Sequence, residues 1–445
     1  MDLLIDAEVA LSSTKSDLTT SHWRDALFKV LSFHSDSETA VPALSYYVLH
    51  CVECCVRTLQ TISLVYAETA EFTGWAGTRP AWGLLAKVRL DKLSVDSGFF
   101  DYWIYTTIGL VFGAGASLLL LVYQQYQFGK CNRRIAKYGF LLPTWAVARL
   151  LYIPALCSSV ALLKYAILST RNMPEYNNIS SVQLHSGSTG LYLGWVGLGV
   201  LALGLLESLF LFNISLLENS RLRGACTHCT LQVLERLIST FLVVLHFSLQ
   251  DFHWVAYKSL SLALCALLTG LIVWYMPYYH QFFNYLLVVR YGITALASLC
   301  FIVGLFLDDA SVTLSLFLVL TIPTLYFLRY GMTRRMDLLA SMVSQKSQVN
   351  GLYEKELALR WQISQLAPSD KLGIASILLE YADFASTRSK RKIVVLWETH
   401  FCLDFMQDER LSRIKLAKAL NCASTLWEDF QEFQLREQLS TERAT

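Results

Sequence analysis

The chain has 445 residues, of which 54% are hydrophobic and 16% charged, and its formal net charge is only +2. This composition lies outside ordinary soluble usage, and the near-neutral charge gives no indication of a nucleic-acid partner. The apolar residues fall in blocks of about 20, the length that crosses a ~30 Å hydrocarbon core. The sequence therefore predicts an all-α, polytopic transmembrane helix bundle in a lipid bilayer.

The first segment, 1–41, is polar and lacks the apolar stretch of a cleavable signal peptide. Within it, apolar residues recur at helical spacing from Thr20 to Phe33, which predicts an amphipathic helix. This helix is expected to lie either on the membrane surface or against the bundle, and packing against the bundle is the favoured alternative. We expect the segment to be cytoplasmic.

The second segment, 42–330, holds the apolar blocks, and hydropathy predicts about eight membrane spans in it. The spans are expected at 43–66, 103–125, 143–167, 189–213, 232–250, 258–277, 282–306 and 311–329. Lys and Arg concentrate in alternate loops, so the positive-inside rule places both termini in the cytoplasm. The basic loop at 67–102 does not fit this orientation. On the outer side, Asn178 begins an Asn-Ile-Ser sequon and is a candidate glycosylation site.

The third segment, 331–445, is charged and helix-favouring, which predicts a cytoplasmic helical tail. Pro368 separates two stretches with apolar residues at helical spacing, so a helical hairpin is expected there. Tetratricopeptide-like units of about 34 residues are one interpretation of the tail, and an unrelated helical arrangement is the other.

The tail also carries two basic clusters. Their members are Arg388, Lys390, Arg391, Lys392, Arg410, Arg413, Lys415 and Lys418. Such clusters attract anionic lipid when they lie beside a membrane. An ordinary solvated helix face, with acidic residues interleaved, is the alternative interpretation.

Ionisable side chains within the predicted spans are the candidate functional residues, because a charge in the hydrocarbon core is costly unless it is paired or used. The candidates are Glu53, Arg57, Arg149, Glu207 and Arg290. Glu53 and Arg57 are four residues apart, so they can pair on one helix face. Arg149 lies near the start of its span and can reach the headgroups.

Glu207 and Arg290 form the more informative pair of candidates. If their helices touch, the two side chains either neutralise each other as a structural bridge or contribute to an ion or proton path. Glu235 and Arg236 are set aside at this stage, because they lie near a predicted helix end.

The fourth predicted span is rich in glycine. The glycines are Gly190, Gly194, Gly197, Gly199 and Gly204. A GxxxG spacing within this set predicts close helix packing, either inside the chain or in an oligomer.

No motif in the sequence predicts a catalytic centre. Cys226, His228 and Cys229 form a CxxC with a histidine inside it, but no second pair of ligands completes a zinc site. Nucleophile elbows, P-loops and dinucleotide-binding motifs are missing as meaningful matches. We therefore expect no metal, no cofactor and no enzymatic activity.

Four groups of residues, taken in chain order, carry a family resemblance. They are 59–64, 100–102, 276–279 with Asn284, and the tail segments 356–360 and 381–384 on either side of Pro368. In this order they make the chain similar to the tiny macrocysts protein family of protist membrane proteins. The resemblance implies a multi-span region followed by cytoplasmic tetratricopeptide-like repeats and a role in sensing or signalling, and it supplies no catalytic residue.

Two functional hypotheses follow. In the first, the protein is a membrane-anchored signalling or sensory scaffold that recruits a cytoplasmic protein through residues 336–445. In the alternative, it is a transporter or channel with a path through the bundle near Glu207 and Arg290.

Overall fold

The computed structural model describes residues 18–38, 43–66, 99–168, 187–211, 229–249, 254–278, 281–307, 310–344, 392–404, 408–420, 422 and 424–441, with single positions between 354 and 376. The helices of the first half are α1 Leu18–Glu38, α2 Ala43–Tyr66, α3 Phe100–Phe128, α4 Ile135–Leu150, α5 Tyr152–Leu168 and α6 Gly187–Leu211. Those of the second half are α7 Cys229–Leu249, α8 Trp254–Tyr275, α9 Gln281–Leu307, α10 Ala310–Ser344, α11 Lys392–Asp404, α12 Glu409–Ala419 and α13 Leu426–Thr441. Every regular element among these residues is a helix, which confirms the all-α class.

Six of the described helices are long and apolar enough to cross a membrane, namely α2, α3, α7, α8, α9 and α10. The count rises to seven if the bent pair α4 and α5 is one span. Helix α6 is apolar over the shorter stretch Gly194–Leu206. Each of the eight predicted spans has a helix at its position, but the third is bent and the fourth is short, so the described residues give six or seven spans of sufficient length.

The third predicted span, 143–167, is wrong as a single straight helix, because α4 and α5 meet at an angle of 78°. Pro154 has no N–H, so it leaves the carbonyl of Leu150 without its usual helical donor. Gln60 on α2 supplies that donor instead, with its Nε2 3.1 Å from the Leu150 oxygen. Much of α4 is π-helical, a distortion that occurs frequently at functional sites.

Helix α1 packs against the bundle, as the favoured alternative predicted. Phe28, Val30 and Leu31 are buried in one core with side chains of α3, α5 and α6. The exposed ring of Trp23 stacks on Tyr126 of α3, with the ring centres 4.4 Å apart. This helix therefore joins the bundle through its own apolar face.

The described part of the tail consists of α11, α12 and α13. The ring of Phe28 on α1 lies 5.4 Å from that of Phe430 and 5.8 Å from that of Phe433, both on α13. The predicted boundary at 330/331 lies within α10, which runs unbroken to Ser344. The hairpin expected around Pro368 lies outside the described residues, apart from single positions.

The glycines of α6 face neighbouring helices of the same chain. A Cβ added at Gly194, Gly197 or Gly204 would lie within 3.2 Å of a side chain on α5. A Cβ at Gly199 would lie 2.5 Å from a side chain on α3. Close packing inside the bundle therefore accounts for these four glycines, whereas the surroundings of Gly190 lie outside the described side chains.

Candidate functional site

A buried polar cavity of about 70 Å³ lies between α2, α4, α7 and α9, and we call it the arginine cavity. Its charged lining consists of Glu53, Arg57, Arg149, Glu235, Arg236 and Arg290. All six residues are at most 8% exposed. Because these groups come from four helices, the folded bundle and not any local motif assembles the site.

Glu235 on α7 is the centre of the charge network. Its Oε1 accepts hydrogen bonds from Arg57 Nη2 at 3.1 Å and from Arg290 Nη1 at 2.8 Å. The hydroxyl of Tyr291 donates to the same oxygen at 2.6 Å. One carboxylate oxygen therefore holds α2 and α9 to α7.

Glu53 on α2 forms the second acidic point of the network. Arg57 Nη1 donates to Glu53 Oε1 at 3.2 Å, which is the pairing that their i,i+4 spacing allows. The other carboxylate oxygen lies 3.3 Å from His50 Nδ1 and 3.7 Å from Arg149 Nη1. Arg149 is only 2% exposed, so its guanidinium is directed into the bundle and does not reach outward to headgroups.

The break between α4 and α5 opens directly beside this network. Arg236 Nη1 donates to the carbonyl of Ala148 at 2.7 Å, and its guanidinium carbon lies 5.0 Å from the centre of the Tyr152 ring. Irregular backbone at membrane depth is tolerated where protein groups or a cavity satisfy it. Together with Gln60, Arg236 therefore satisfies the carbonyls that the bend exposes.

Aromatic side chains border one side of the cavity. The ring of Phe283 lies 4.9 Å from that of His50 and stacks on Tyr47 at 5.7 Å. Tyr278, in the turn between α8 and α9, also lines the cavity. Asn284 fixes this turn, because it accepts from the Tyr278 N–H at 2.9 Å and donates to the Tyr278 carbonyl at 2.8 Å. Tyr278, a member of the resemblance segment, is therefore part of the cavity wall.

Further polar side chains lie along α9 beyond the cavity. Thr294 and Ser298 are fully buried and donate to carbonyls one turn earlier in the same helix. Beyond them, Lys258 on α8 is fully buried and donates to the Val65 carbonyl at the end of α2. Buried polar groups thus extend from the arginine cavity towards the opposite end of the bundle.

The structure gives Arg290 a partner that was not expected from the sequence. Arg290 contacts Glu235, a residue that the sequence analysis set aside. The side chain of Glu207 lies outside the described side chains, so the pairing of Glu207 with Arg290 stays a prediction. One signal was available in α7, where Gln232, Glu235 and Ser239 recur at helical spacing on one face. That face is buried, whereas an interpretation based on distance from the helix end treated its charges as peripheral.

Two other sequence candidates lie outside the described residues. These are the sequon at Asn178 and the Cys226 and His228 positions of the CxxC segment. No group of three or more His, Cys, Asp or Glu side chains that could hold a metal ion occurs among the residues that the structure describes. The arginine cavity is therefore the best-defined candidate site in the described part of the chain.

The helices and the buried cavity define an integral membrane protein of the polytopic helix-bundle class. No family model matches the sequence, and neither the curated proteins nor the solved structures include a match. Functional inference consequently depends on the geometry of the arginine cavity and of the tail.

Proposed function

We propose that this protein is a membrane transporter whose solute path passes through the arginine cavity. The observation that carries this proposal is the cavity itself, a space of about 70 Å³ inside an apolar bundle, lined by six charged side chains beside a broken helix. Ionisable residues within membrane helices are costly and typically mark substrate or ion paths. Discontinuous helices commonly form the binding sites of secondary transporters.

The position of the helix break adds a second argument. A continuous helix would satisfy its own carbonyls, whereas here Gln60 and Arg236 reach across from other helices to satisfy those of Leu150 and Ala148. A change in the bend would therefore exchange partners within the charge network. Alternating access requires an element that adopts two discrete arrangements, and the proposal assigns that role to the bend.

Flux through the full-length protein in liposomes tests this proposal. We expect at least one labelled solute from a panel of phosphate, sulfate, succinate and chloride to enter faster than it enters empty liposomes. Glu235→Gln should reduce that uptake, because the network would lose its central charge. Glu409→Gln is the matched control, since this carboxylate lies on α12 with its side chain 48% exposed. Equal uptake in protein-containing and empty liposomes for the whole panel would contradict the proposal.

A signalling or sensory scaffold is the second candidate function, in line with the resemblance to the tiny macrocysts family. One structural observation favours it, namely that the tail helices dock on α1, which itself packs in the bundle. A partner bound to the tail would thereby be fixed to the membrane. The basic clusters offer less charge to anionic lipid than the sequence alone suggests, because Lys392 is buried and Lys415 is paired with Glu398.

Two variants expressed in the same cells distinguish the two candidate functions. If the protein is a scaffold, deletion from Lys392 onward should abolish its signalling phenotype while Glu235→Gln leaves the phenotype intact, provided that both proteins reach the membrane. If it is a transporter, Glu235→Gln alone should abolish the phenotype. The scaffold proposal also requires a cytoplasmic tail, so a membrane-impermeant thiol reagent should label Cys422 in permeabilised cells but not in intact ones.

A further inference from the structure

Arg290 and Gln232 both have polar atoms in the arginine cavity that accept or donate no hydrogen bond within the network. Arg290 is 2% exposed and gives Nη1 to Glu235, but its Nε and Nη2 are buried with no hydrogen-bond partner. Gln232, 4% exposed, has no partner for either atom of its amide. An unsatisfied buried polar group destabilises the folded protein, and a charged one does so more strongly. Both residues line the cavity, so their unused donors point to a ligand there.

The net charge of the cavity lining indicates whether the ligand is an anion or a cation. Four guanidinium groups and two carboxylates line the cavity among the described residues, a formal excess of two positive charges. Electrostatic attraction is far stronger in a low-dielectric interior than in water, so a site of this sign favours an anion. Arg57 donates to both carboxylates, and the second oxygen of Glu53 lies 3.7 Å from Arg149 Nη1, so each carboxylate already has a cationic side chain beside it.

The geometry of the hydrogen-bond donors indicates which class of anion the cavity fits. A guanidinium presents parallel N–H groups that match the two oxygens of a carboxylate or phosphate. The amide nitrogen of Gln232 adds a neutral donor. A single water needs about 10–15 Å³ of such a cavity, so one of about 70 Å³ accommodates only a few heavy atoms.

We propose that the arginine cavity binds a small oxyanion, such as inorganic phosphate, sulfate or a short carboxylate, with Arg290 and Gln232 as direct ligands. This inference rests on the same cavity as the proposed transport function and names its substrate class. Binding is measured without flux, however, so the two proposals can fail separately.

Thermal unfolding of the purified full-length protein in a phosphate-free detergent tests the inference. Sodium phosphate, sulfate and succinate are each titrated against sodium chloride at matched ionic strength. We expect a saturable rise of the melting temperature with at least one of the three oxyanions and not with chloride, because a ligand that binds only the folded state stabilises it. No oxyanion-specific rise would overturn the proposal.

Two variants assign the ligands. Gln232→Met should raise the melting temperature without ligand, since it removes an unsatisfied buried amide, and should weaken oxyanion binding about tenfold. Arg290→Lys keeps the charge that faces Glu235 but loses the planar fork, so it should weaken binding to a similar extent. The control is Arg335→Lys, a buried arginine of α10 that lies outside the cavity. Unchanged oxyanion affinity in both Gln232→Met and Arg290→Lys would show that the anion binds elsewhere.

Three further outcomes distinguish a free anion from a lipid headgroup, and binding from transport. Stabilisation by short-chain phosphatidate but not by inorganic phosphate would overturn the assignment to a free anion and indicate a lipid headgroup. Oxyanion binding without uptake in liposomes would support this inference and contradict the transport proposal. Uptake of chloride alone, without oxyanion binding, would do the reverse.

Discussion

Glu235 shows why a buried charge can be retained in an apolar bundle. Moving a carboxylate out of water costs several kcal/mol, and only close partners of opposite charge with good geometry offset that cost. Here a single carboxylate oxygen receives two guanidinium donors and a phenol, all within 3.1 Å. Loss of Glu235 should therefore destabilise the bundle far more than loss of an exposed ion pair would.

Glu235→Gln is expected to destabilise the protein by about 3–5 kcal/mol, because the substitution leaves Arg57 and Arg290 buried beside a neutral amide. Detergent-induced unfolding of the purified full-length protein measures the change. Glu409→Gln should alter the free energy of unfolding by less than about 0.5 kcal/mol, as exposed substitutions usually do. Equal unfolding midpoints for the two variants would contradict a central role for Glu235.

At the scale of single elements, the bend between α4 and α5 is the feature that builds the site. Pro154 withholds one backbone donor, and Gln60 on α2 replaces it at 3.1 Å. The two residues are 94 positions apart in sequence, yet they act on the same carbonyl. Their effects on stability should therefore not be additive.

Gln60→Leu should cost about 1–3 kcal/mol in the natural background, since it leaves the Leu150 carbonyl buried without a donor. In a Pro154→Ala background the new N–H can restore the helical bond, so the same substitution should cost at least about 1 kcal/mol less. A double-mutant cycle on the free energy of unfolding gives this difference directly. An equal cost in both backgrounds would mean that Pro154 is not what frees the carbonyl.

The close packing of α6 leads to a separate prediction about stability. A Cβ at Gly204 would lie 2.7 Å from Cε2 of the Tyr152 ring. The hydroxyl of that ring is held 2.8 Å from Thr240 Oγ1 on α7, so the ring cannot easily move away. Gly204→Ala should therefore destabilise the protein by about 1–3 kcal/mol, the usual cost of overpacking.

Gly270→Ala on α8 is the matched control, because nothing lies within 4 Å of the added Cβ. This substitution should be neutral or should stabilise the protein by up to about 1 kcal/mol, through the higher helix propensity of alanine. Thermal unfolding of both variants in detergent tests the pair. A stable Gly204→Ala protein would show that Tyr152 has room to shift.

The helices could be predicted because each depends on local sequence. A block of about 20 apolar residues forms a helix in a bilayer almost regardless of its neighbours, so the positions of α2, α3 and α7 to α10 were predictable. The 78° bend was not, because Pro154 is tolerated in a membrane helix whenever another group satisfies the carbonyl. The residues of the site could be predicted only in part, because tertiary packing brings them together. Arg57 and Arg290 stand out as charges, but their partner Glu235 is defined by tertiary packing.

At the scale of the whole molecule, the tail and the bundle are joined through α1. Asp429 on α13 lies at this junction, 2.6 Å from Lys392 Nζ on α11 and 3.5 Å from Arg24 Nη1 on α1. Glu432 forms a further ion pair with Lys392. An ion pair between Lys29 on α1 and Glu437 on α13, together with aromatic contacts of Phe28 with α13, completes the interface. Docking of the tail should therefore depend on pH through the charges around Lys392.

Burial alone would raise the pKa of Asp429, but the hydrogen bond and charge of Lys392 outweigh it and hold that pKa below its ordinary value of 3.8. Burial would likewise lower the pKa of Lys392, but the hydrogen bonds to Asp429 and Glu432 raise it above 10.5. The contribution of Asp429 is thus fully present above 3.8 and is lost as the pH falls through its folded pKa. The contribution of Lys392 is fully present below 10.5 and is lost as the pH rises through its folded pKa.

Tail docking should consequently be constant across the neutral range and weaken only in strong acid and strong alkali. The distance between spin labels at His22 and Ser440, two exposed positions on α1 and α13, reports docking in the full-length protein. Lys392→Met should move the acid transition to higher pH, because the pKa of Asp429 is then less depressed, and should remove the contribution of Lys392 to the alkaline transition. Lys418→Met, at an exposed position of α12, should change neither transition. Identical transitions in all three proteins would show that Lys392 does not contribute to docking and that the other contacts between α1 and α13, including the Lys29–Glu437 ion pair, hold the tail.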